Sequence, residues 1–383
     1  MLVLTVPHIN LNLNPSPCYY INPHSHPPLS HCISQFLLRS QDYFKFPMDS
    51  PSTTITSVHQ DIIQTHVLTR LDGPTLAAAG AASSQLHALA TVDKLWRDIC
   101  TSTWPSLNDP TLQALVSAFP GGHRSFFSDS YPLLVHPLDQ YHGQSRKIPP
   151  TTSSPTLELI SAVDIHYKNS LIFSKVEATE TVTGWFQCSP FRVDLLDPKD
   201  TVPTPVQYSV DGDYKWLSHL EDTLTLSWIL IDPTRKRAAN LSSLRPVSVK
   251  RHWLTGEVQV RYATVVGGDW TVGSEVVQCG IVVTCAGKEG GEMQVREVNL
   301  QVEDMEGRHL NGKESLVILQ EALENGRRKK AKGEEGKARY ERYLEMMGER
   351  RERRLRREKT LDMVCIALGV TIFLSFWSYF LFT

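Results

Sequence analysis

The sequence predicts an α+β protein. A small N-terminal helical module precedes an antiparallel β-sandwich-like middle domain, a basic helical stalk and a single C-terminal transmembrane helix. Three observations carry that prediction. Apolar residues recur at helical spacing between positions 60 and 100; seven or more short β-forming runs separated by glycine-bearing turns fill positions 151–325; and an uncharged run at 363–382 follows a cluster of arginines. With 383 residues the chain is long enough for two domains with tails, and for a sizeable core in the larger one.

Residues 1–57 read as a disordered N-terminal segment. The first 47 hold seven prolines, four histidines and little charge, with no uninterrupted apolar stretch of the kind a secretory signal needs. Met48 opens MDSPSTT, which reads as a start, so the preceding residues are expected to be an upstream extension of the reading frame. The seven cysteines are odd in number and scattered, and no two are spaced C-x-x-C, which argues against a disulfide framework or a zinc site and fits a reducing compartment. Cys279 and Cys285 alternate with valines and read as buried thiols.

The helical module spans 58–105. Ile62, Ile63, Val67, Leu68 and Leu71 recur at helical spacing over 60–71, and Asp61 suits the first turn of a helix. Leu71-Asp72-Gly73-Pro74 stops that helix: glycine permits a left-handed exit, and proline suits the first turn of the next. The alanine-rich stretch 75–82, with Leu76, predicts a thin helix that packs closely. A third element runs through Leu86 and Leu89, and a fourth starts near Asp93 and carries Leu95, Trp96, Ile99 and Cys100; Pro105 closes the unit. About 45 residues make only a marginal core, so support from a partner or the adjoining domain is expected. Residues 106–150 read as a linker.

These residues carry a family resemblance. HQDIIQTHVLTRLDGPTLAAAGAASSQLHALATVDKLWRDIC resembles the F-box: a first helix ending in an L-S/T-R-L-like turn, a proline-bearing loop, a small-residue helix and a tryptophan helix. The continuations TWPS and FPGGHRSFFSDSYPLL are similar to a plant F-box subgroup, and the likeness covers 58–134, about a fifth of the chain. In one departure, Val58-His59 stands where the family usually opens its first helix with Leu-Pro. The resemblance implies docking onto the SKP-type adaptor of a cullin-RING ubiquitin ligase, and through it onto the cullin and RING subunits. It implies contact residues Ile63, Val67, Leu68, Leu71, Pro74 and Leu76, with Trp96 in the core or at the contact.

The middle domain, 151–325, includes SLIFSKVEA, TVTGWFQCSPFRVDLL, TLTLSWILID, VSVKRHW, GEVQVRYATVV, EVVQCGIVVTCA and MQVREVNLQVED. Turn material such as Asp211-Gly212-Asp213 and Val266-Gly267-Gly268-Asp269 separates them, with no helical periodicity between, which predicts the antiparallel sandwich. Segments around Trp228 and Trp253 faintly resemble the lectin-like sandwich found behind some plant F-boxes. Asn311-Gly312 reads as a turn, and 314–324 as a closing helix. The glycines of AGKEGGE lack phosphate-loop order, and no H-E-x-x-H, G-x-S-x-G or metal-spaced cluster occurs, so no catalytic residue, metal or cofactor is expected.

Residues 326–360 predict a charged helix, with Tyr340, Leu344, Met347, Arg351 and Leu355 on one stripe. Within 327–359, 15 Lys and Arg oppose 7 Asp and Glu, a local +8 that leaves −10 of the formal −2 for the rest. Residues 361–383 form the membrane segment, long enough at about 1.5 Å per residue to span about 30 Å of hydrocarbon. Arg353, Arg354, Arg356, Arg357 and Lys359 flank it and place the bulk of the chain in the cytosol, tail-anchored on the endoplasmic reticulum or another organelle surface. The membrane accounts for the basic charge, so no nucleic-acid partner is expected. The functional expectation is a non-catalytic subunit that presents an unknown protein substrate to a ubiquitin ligase at a membrane. The alternative is a membrane-tethered lectin-like ligand-binding protein with no ligase role. N-terminal mass spectrometry of the native protein is expected to find no peptide upstream of Met48; any such peptide removes the proposed start.

Overall fold

The computed structural model describes residues 59–136, 155–209, 213–269, 272–330 and 335–382. The expected disordered segment 1–57 lies outside the described residues. Residues 60–70 form one helical stretch, α1, built from an α-turn at Gln60–Ile62, a π-helical segment at Ile63–Val67 and a 3₁₀ turn at Leu68–Arg70. The Thr65 and Thr69 hydroxyls donate to the carbonyls of Asp61 and Thr65, at 2.6 and 2.8 Å, and this back-bonding accompanies the departure from a regular ladder. Three helices follow: α2 (Gly73–Ala82), α3 (Ser84–Ala90), whose first turn Ser83 caps, and α4 (Asp93–Thr103).

The module does not end at Pro105. In place of the expected linker, the chain continues as a 3₁₀ turn (Pro105–Asn108), α5 (Pro110–Ser117), α6 (Gly122–Ser130) and a short strand β1 (Leu133–Leu134). α6 brings Phe126 and Phe127 against Trp104 and Trp96, with Trp96 and Phe127 ring centroids 5.4 Å apart. These aromatic pairs supply the apolar area that four short helices lack.

The sandwich consists of two six-stranded sheets. The first runs in the order β12-β1-β7-β6-β2-β3 and contains β2 (Glu158–Tyr167), β3 (Ser170–Glu180), β6 (Leu224–Asp232), β7 (Arg237–Asn240) and β12 (Arg328–Lys329). The second runs β4-β11-β10-β9-β8, from β4 (Arg192–Asp194), β8 (Ser248–Arg251), β9 (Val258–Gly267), β10 (Val276–Ala286) and β11 (Glu292–Asp304); β5 (Val202–Gln207) also pairs with β11. Among the described strands, every pairing is antiparallel except β1 with β7. One core lies between the sheets, with Trp228 and Leu226 on one side and Tyr262, Val298 and Leu300 on the other, and Ile318 and Leu319 of α9 (Gly312–Asn325) close it.

Three local expectations change. The run 181–196 is not one strand: Thr183 caps a short helix, α7 (Gly184–Cys188), and only β4 remains extended. A helix, α8 (Asp213–Thr223), interrupts the strands, with Trp216, Leu217 and Leu220 against the core. Asn311 is no turn residue but the N-cap of α9: it accepts from the Glu314 amide at 2.8 Å, while Glu314 accepts from the Asn311 amide at 3.1 Å.

The C-terminal helix α10 (Glu335–Phe382) is unbroken over 48 residues, and it is long and apolar enough to cross a membrane by length and composition. Its first turns lie on the outer face of the second sheet, where Tyr340 and Tyr343 pack with Val247, Ala263, Val265 and Met305, and Tyr343 donates to the Asp304 carbonyl at 3.1 Å. The expected stripe is shifted: Tyr343 and Met346 join Tyr340 and Met347, while Leu344 and Leu355 stay exposed.

The helical module covers the outer face of the first sheet. Leu159, Val163 and Ile165 of β2 point into the sandwich, so Asp164 points outward, where it is fully buried under the Pro105–Asn108 turn. It accepts from the Ser106 amide at 2.9 Å, the Ser106 hydroxyl at 2.6 Å and the Ser174 hydroxyl at 2.7 Å. Burial raises this carboxyl above the usual carboxylate range, and the serine hydrogen bonds oppose the shift. Replacing Asp164 by Ala strands those donors and is expected to cost about 2–3 kcal/mol in denaturant unfolding of the detergent-solubilised chain. Because the folded-state pKa is raised, the contribution is full at low pH and falls as pH rises through that value. The Ala penalty is therefore expected to shrink as pH rises above the ordinary carboxylate range.

Candidate functional site

The turn between α1 and α2 is the most constrained part of the module. Leu71 is extended, Asp72 caps α2 by accepting from the Thr75 amide at 3.0 Å, and Pro74 occupies the first turn. The Thr75 hydroxyl and amide hold the Asp72 carboxyl below its usual range. Gly73 does not supply the expected left-handed exit: it lies inside the first turn of α2, and a Cβ there would meet Phe127 Cζ at 2.1 Å. Its role is close approach, which admits the Phe127 ring.

The same economy joins α4 to α6. Gly121 and Gly122 have φ of 92° and 59°, and a Cβ on Gly122 would lie 2.4 Å from Asp93 Oδ1. Asp93 instead accepts from the His123 amide at 2.9 Å, and its Oδ2 lies 2.9 Å from His123 Nδ1. The sequence FPGGHRSFFSDS therefore builds the back wall of the module.

The residues expected to contact the adaptor divide into two groups. Ile63, Leu68, Leu76 and Trp96 are buried in the module, and Trp96 Nε1 donates to the Ala90 carbonyl at 2.6 Å. Val67 is 48% exposed, and Leu71 and Pro74 are half-buried. The surface includes an open groove of about 440 Å³ between the Leu68–Asp72 turn and α4, where Leu95, Asp98, Ile99 and Ser102 complete the lining. Of the seven, Leu68 and Leu71 line this groove, and Ile63, Val67, Pro74, Leu76 and Trp96 do not. Leu95, Asp98, Ile99 and Ser102 are not among the expected contact residues; the available signal is the spacing of Leu95, Ile99 and Ser102, which puts them on one side of α4.

The groove sets apolar Leu68, Leu71, Leu95 and Ile99 beside acidic Asp72 and Asp98 and basic Arg70. Among the described residues no cluster of His, Cys, Asp and Glu could hold a metal. Cys100, Cys279 and Cys285 are buried, and desolvation pushes their thiols up to about 12. Of the two tryptophans in the lectin-like segments, Trp228 is core, donating to Ser161 Oγ at 3.1 Å, whereas Trp253 is 87% exposed in the β8–β9 turn. Replacing Gly73 by Ala is expected to displace Phe127 and destabilise the module by about 2–3 kcal/mol, read as earlier proteolysis of residues 59–130 than of the sandwich.

No family model matches the chain, and no solved structure matches it significantly. Three proteins of Arabidopsis thaliana are extensively similar. F-box protein At2g27310 is 47% identical over 339 residues, which span 86% of this chain and 96% of that protein. F-box protein At3g44326 is 45% identical over 335 residues, 86% of this chain and 90% of that one. Probable F-box protein At2g36090 is 47% identical over 329 residues, 84% and 93%. With nearly half its residues shared along most of its length with these proteins, the chain belongs to the F-box protein family.

Proposed function

We propose that the chain is the substrate-recognition subunit of an SCF-type cullin-RING ubiquitin ligase, working at a membrane surface. The helical module docks the SKP-type adaptor, which brings the cullin and RING subunits. The β-sandwich selects a protein target, and α10 holds both at the bilayer. The observation that carries this reading is the groove between the α1–α2 turn and α4. It presents half-buried Leu71 and Ile99 on a framework of buried aromatics, in a chain of the F-box family.

The mechanism is proximity. Confining a target and a ubiquitin-loaded partner to one assembly raises their effective concentration, and this chain need supply no acid, base or nucleophile. The exposed cluster Arg353, Arg354, Arg356, Arg357 and Lys359 precedes the apolar part of α10, where each cation contributes on the order of 1 kcal/mol near anionic headgroups. That arrangement supports a C-terminal anchor on the cytosolic face of an organelle membrane, such as the endoplasmic reticulum.

Full-length protein is expected to co-purify with a SKP-type adaptor, and Leu71→Asp combined with Ile99→Asp to weaken that association at least 100-fold, because each introduces a charge into a desolvated contact. Trp253→Ala, in the β8–β9 turn of the second sheet and outside the groove, is expected to leave it unchanged. Undiminished binding by the double variant would overturn the docking face.

A further inference from the structure

We infer that α7 and the adjoining ends of β2 and β3 form a lipid-contacting cap that seats the sandwich against the bilayer; this rests on the reading of α10 as a membrane anchor. Three apolar side chains stand out from the sandwich there: Trp185 is 82% exposed, Leu157 60% and Val182 51%. They are close in the fold, because the Thr181 amide donates to the Leu157 carbonyl at 3.0 Å and Thr183 caps α7. Trp185 is held outward by its neighbour, since Phe186 packs edge-on to Phe191 with centroids 6.0 Å apart. A rigidly displayed tryptophan with aliphatic neighbours is poorly matched to water and well matched to a membrane interface.

Strand directions place this cluster at the end of the sandwich from which α10 leaves. β11 finishes at Asp304, whose carbonyl accepts from Tyr343, and the turn after it carries Glu306, 3.2 Å from Arg354. Arg350 donates to the Gly273 carbonyl at 3.0 Å, in the β9–β10 connection at the same end. The chain from β11 then meets the residues following α7: the Phe191 amide donates to Leu310 at 2.7 Å, and the Gly312 amide to Ser189 at 3.0 Å. Trp185 and the exit of α10 therefore flank one end of the sandwich, whereas Trp253, in the β8–β9 turn, lies at the other.

The distances fit. From Arg354 to residue 363 the helix rises about 14 Å at about 1.5 Å per residue, and headgroups occupy roughly 5–7 Å of that gap. A tilt of about 20°, ordinary for a membrane helix, brings one side of the domain closer still. The contacts of Arg350 and Arg354 oppose any swing of that end away from the surface.

The test uses full-length protein in phosphatidylcholine vesicles, with and without acyl chains brominated near the headgroup, comparing wild type with Trp185→Phe. Seven tryptophans are common to both proteins, and of these Trp377 alone lies in the apolar run, so quenching of the shared emission reports the anchor; the difference between the two emission spectra reports Trp185. The expected result is quenching of both signals, with the difference spectrum blue-shifted from that of a water-exposed indole. Quenching of the shared signal alone would overturn the cap and leave the anchor standing. Quenching of neither would overturn the anchor and the cap together.

Discussion

The arrangement of the whole molecule turns on one buried carboxylate. Asp164 lies on the outward side of a central strand, where an alternating pattern would place a solvated residue, and it is sealed there by the turn that follows α4. Taking such a group out of water costs several kcal/mol, and three donors from two parts of the chain offset that cost. The interaction is favourable only if helical module and sheet meet in one register. The distance between the groove on one side and the sandwich on the other is thereby fixed by hydrogen-bond geometry rather than by a tether. A second tie reinforces it, with Arg237 of β7 3.2 Å from Asp129 of α6.

Within the module, packing is governed by atoms that are absent. Gly73 and Gly122 each leave room for a group that a Cβ would displace, one a phenylalanine ring and the other a carboxylate. Both bring α6 against the helices that form the groove. The aromatic contacts among Trp96, Trp104, Phe126 and Phe127 then stabilise a unit whose alanine-rich second helix contributes little apolar area of its own.

Much of this was legible in the sequence, and the failures have physical causes. Period-3.6 and period-2 patterns located the module helices and the long strands because those elements bury one face or both. The linker reading fails over 106–134 because Pro105 reads as closing the unit, although proline at a first helical position starts a turn as readily as it ends one, there and again at Pro110. Segment 181–196 looked strand-like because its aromatic and β-branched residues favour extended chain, and the Thr183 cap that starts α7 locally overrides that preference. Burial in the candidate site could not be read from spacing alone: Leu68 and Leu71 share a helix face in projection, but the π and 3₁₀ turns of α1 bury one and leave the other half-open. Asp164 gave no signal, since its partners are distant in sequence.

The unbroken C-terminal helix has one more consequence. It has no joint between the second sheet and its apolar end, and it lies on the face of the sandwich opposite the helical module. With layers stacked about 10 Å apart, the groove sits roughly 30 Å to the side of the helix axis. Under the membrane-anchored reading proposed above, that offset is a lever arm. Spinning of the anchor in the plane of the bilayer would carry the groove around a circle of that radius, at a height set by the helix, so the assembly would patrol a ring of membrane around its own anchor rather than the volume above it.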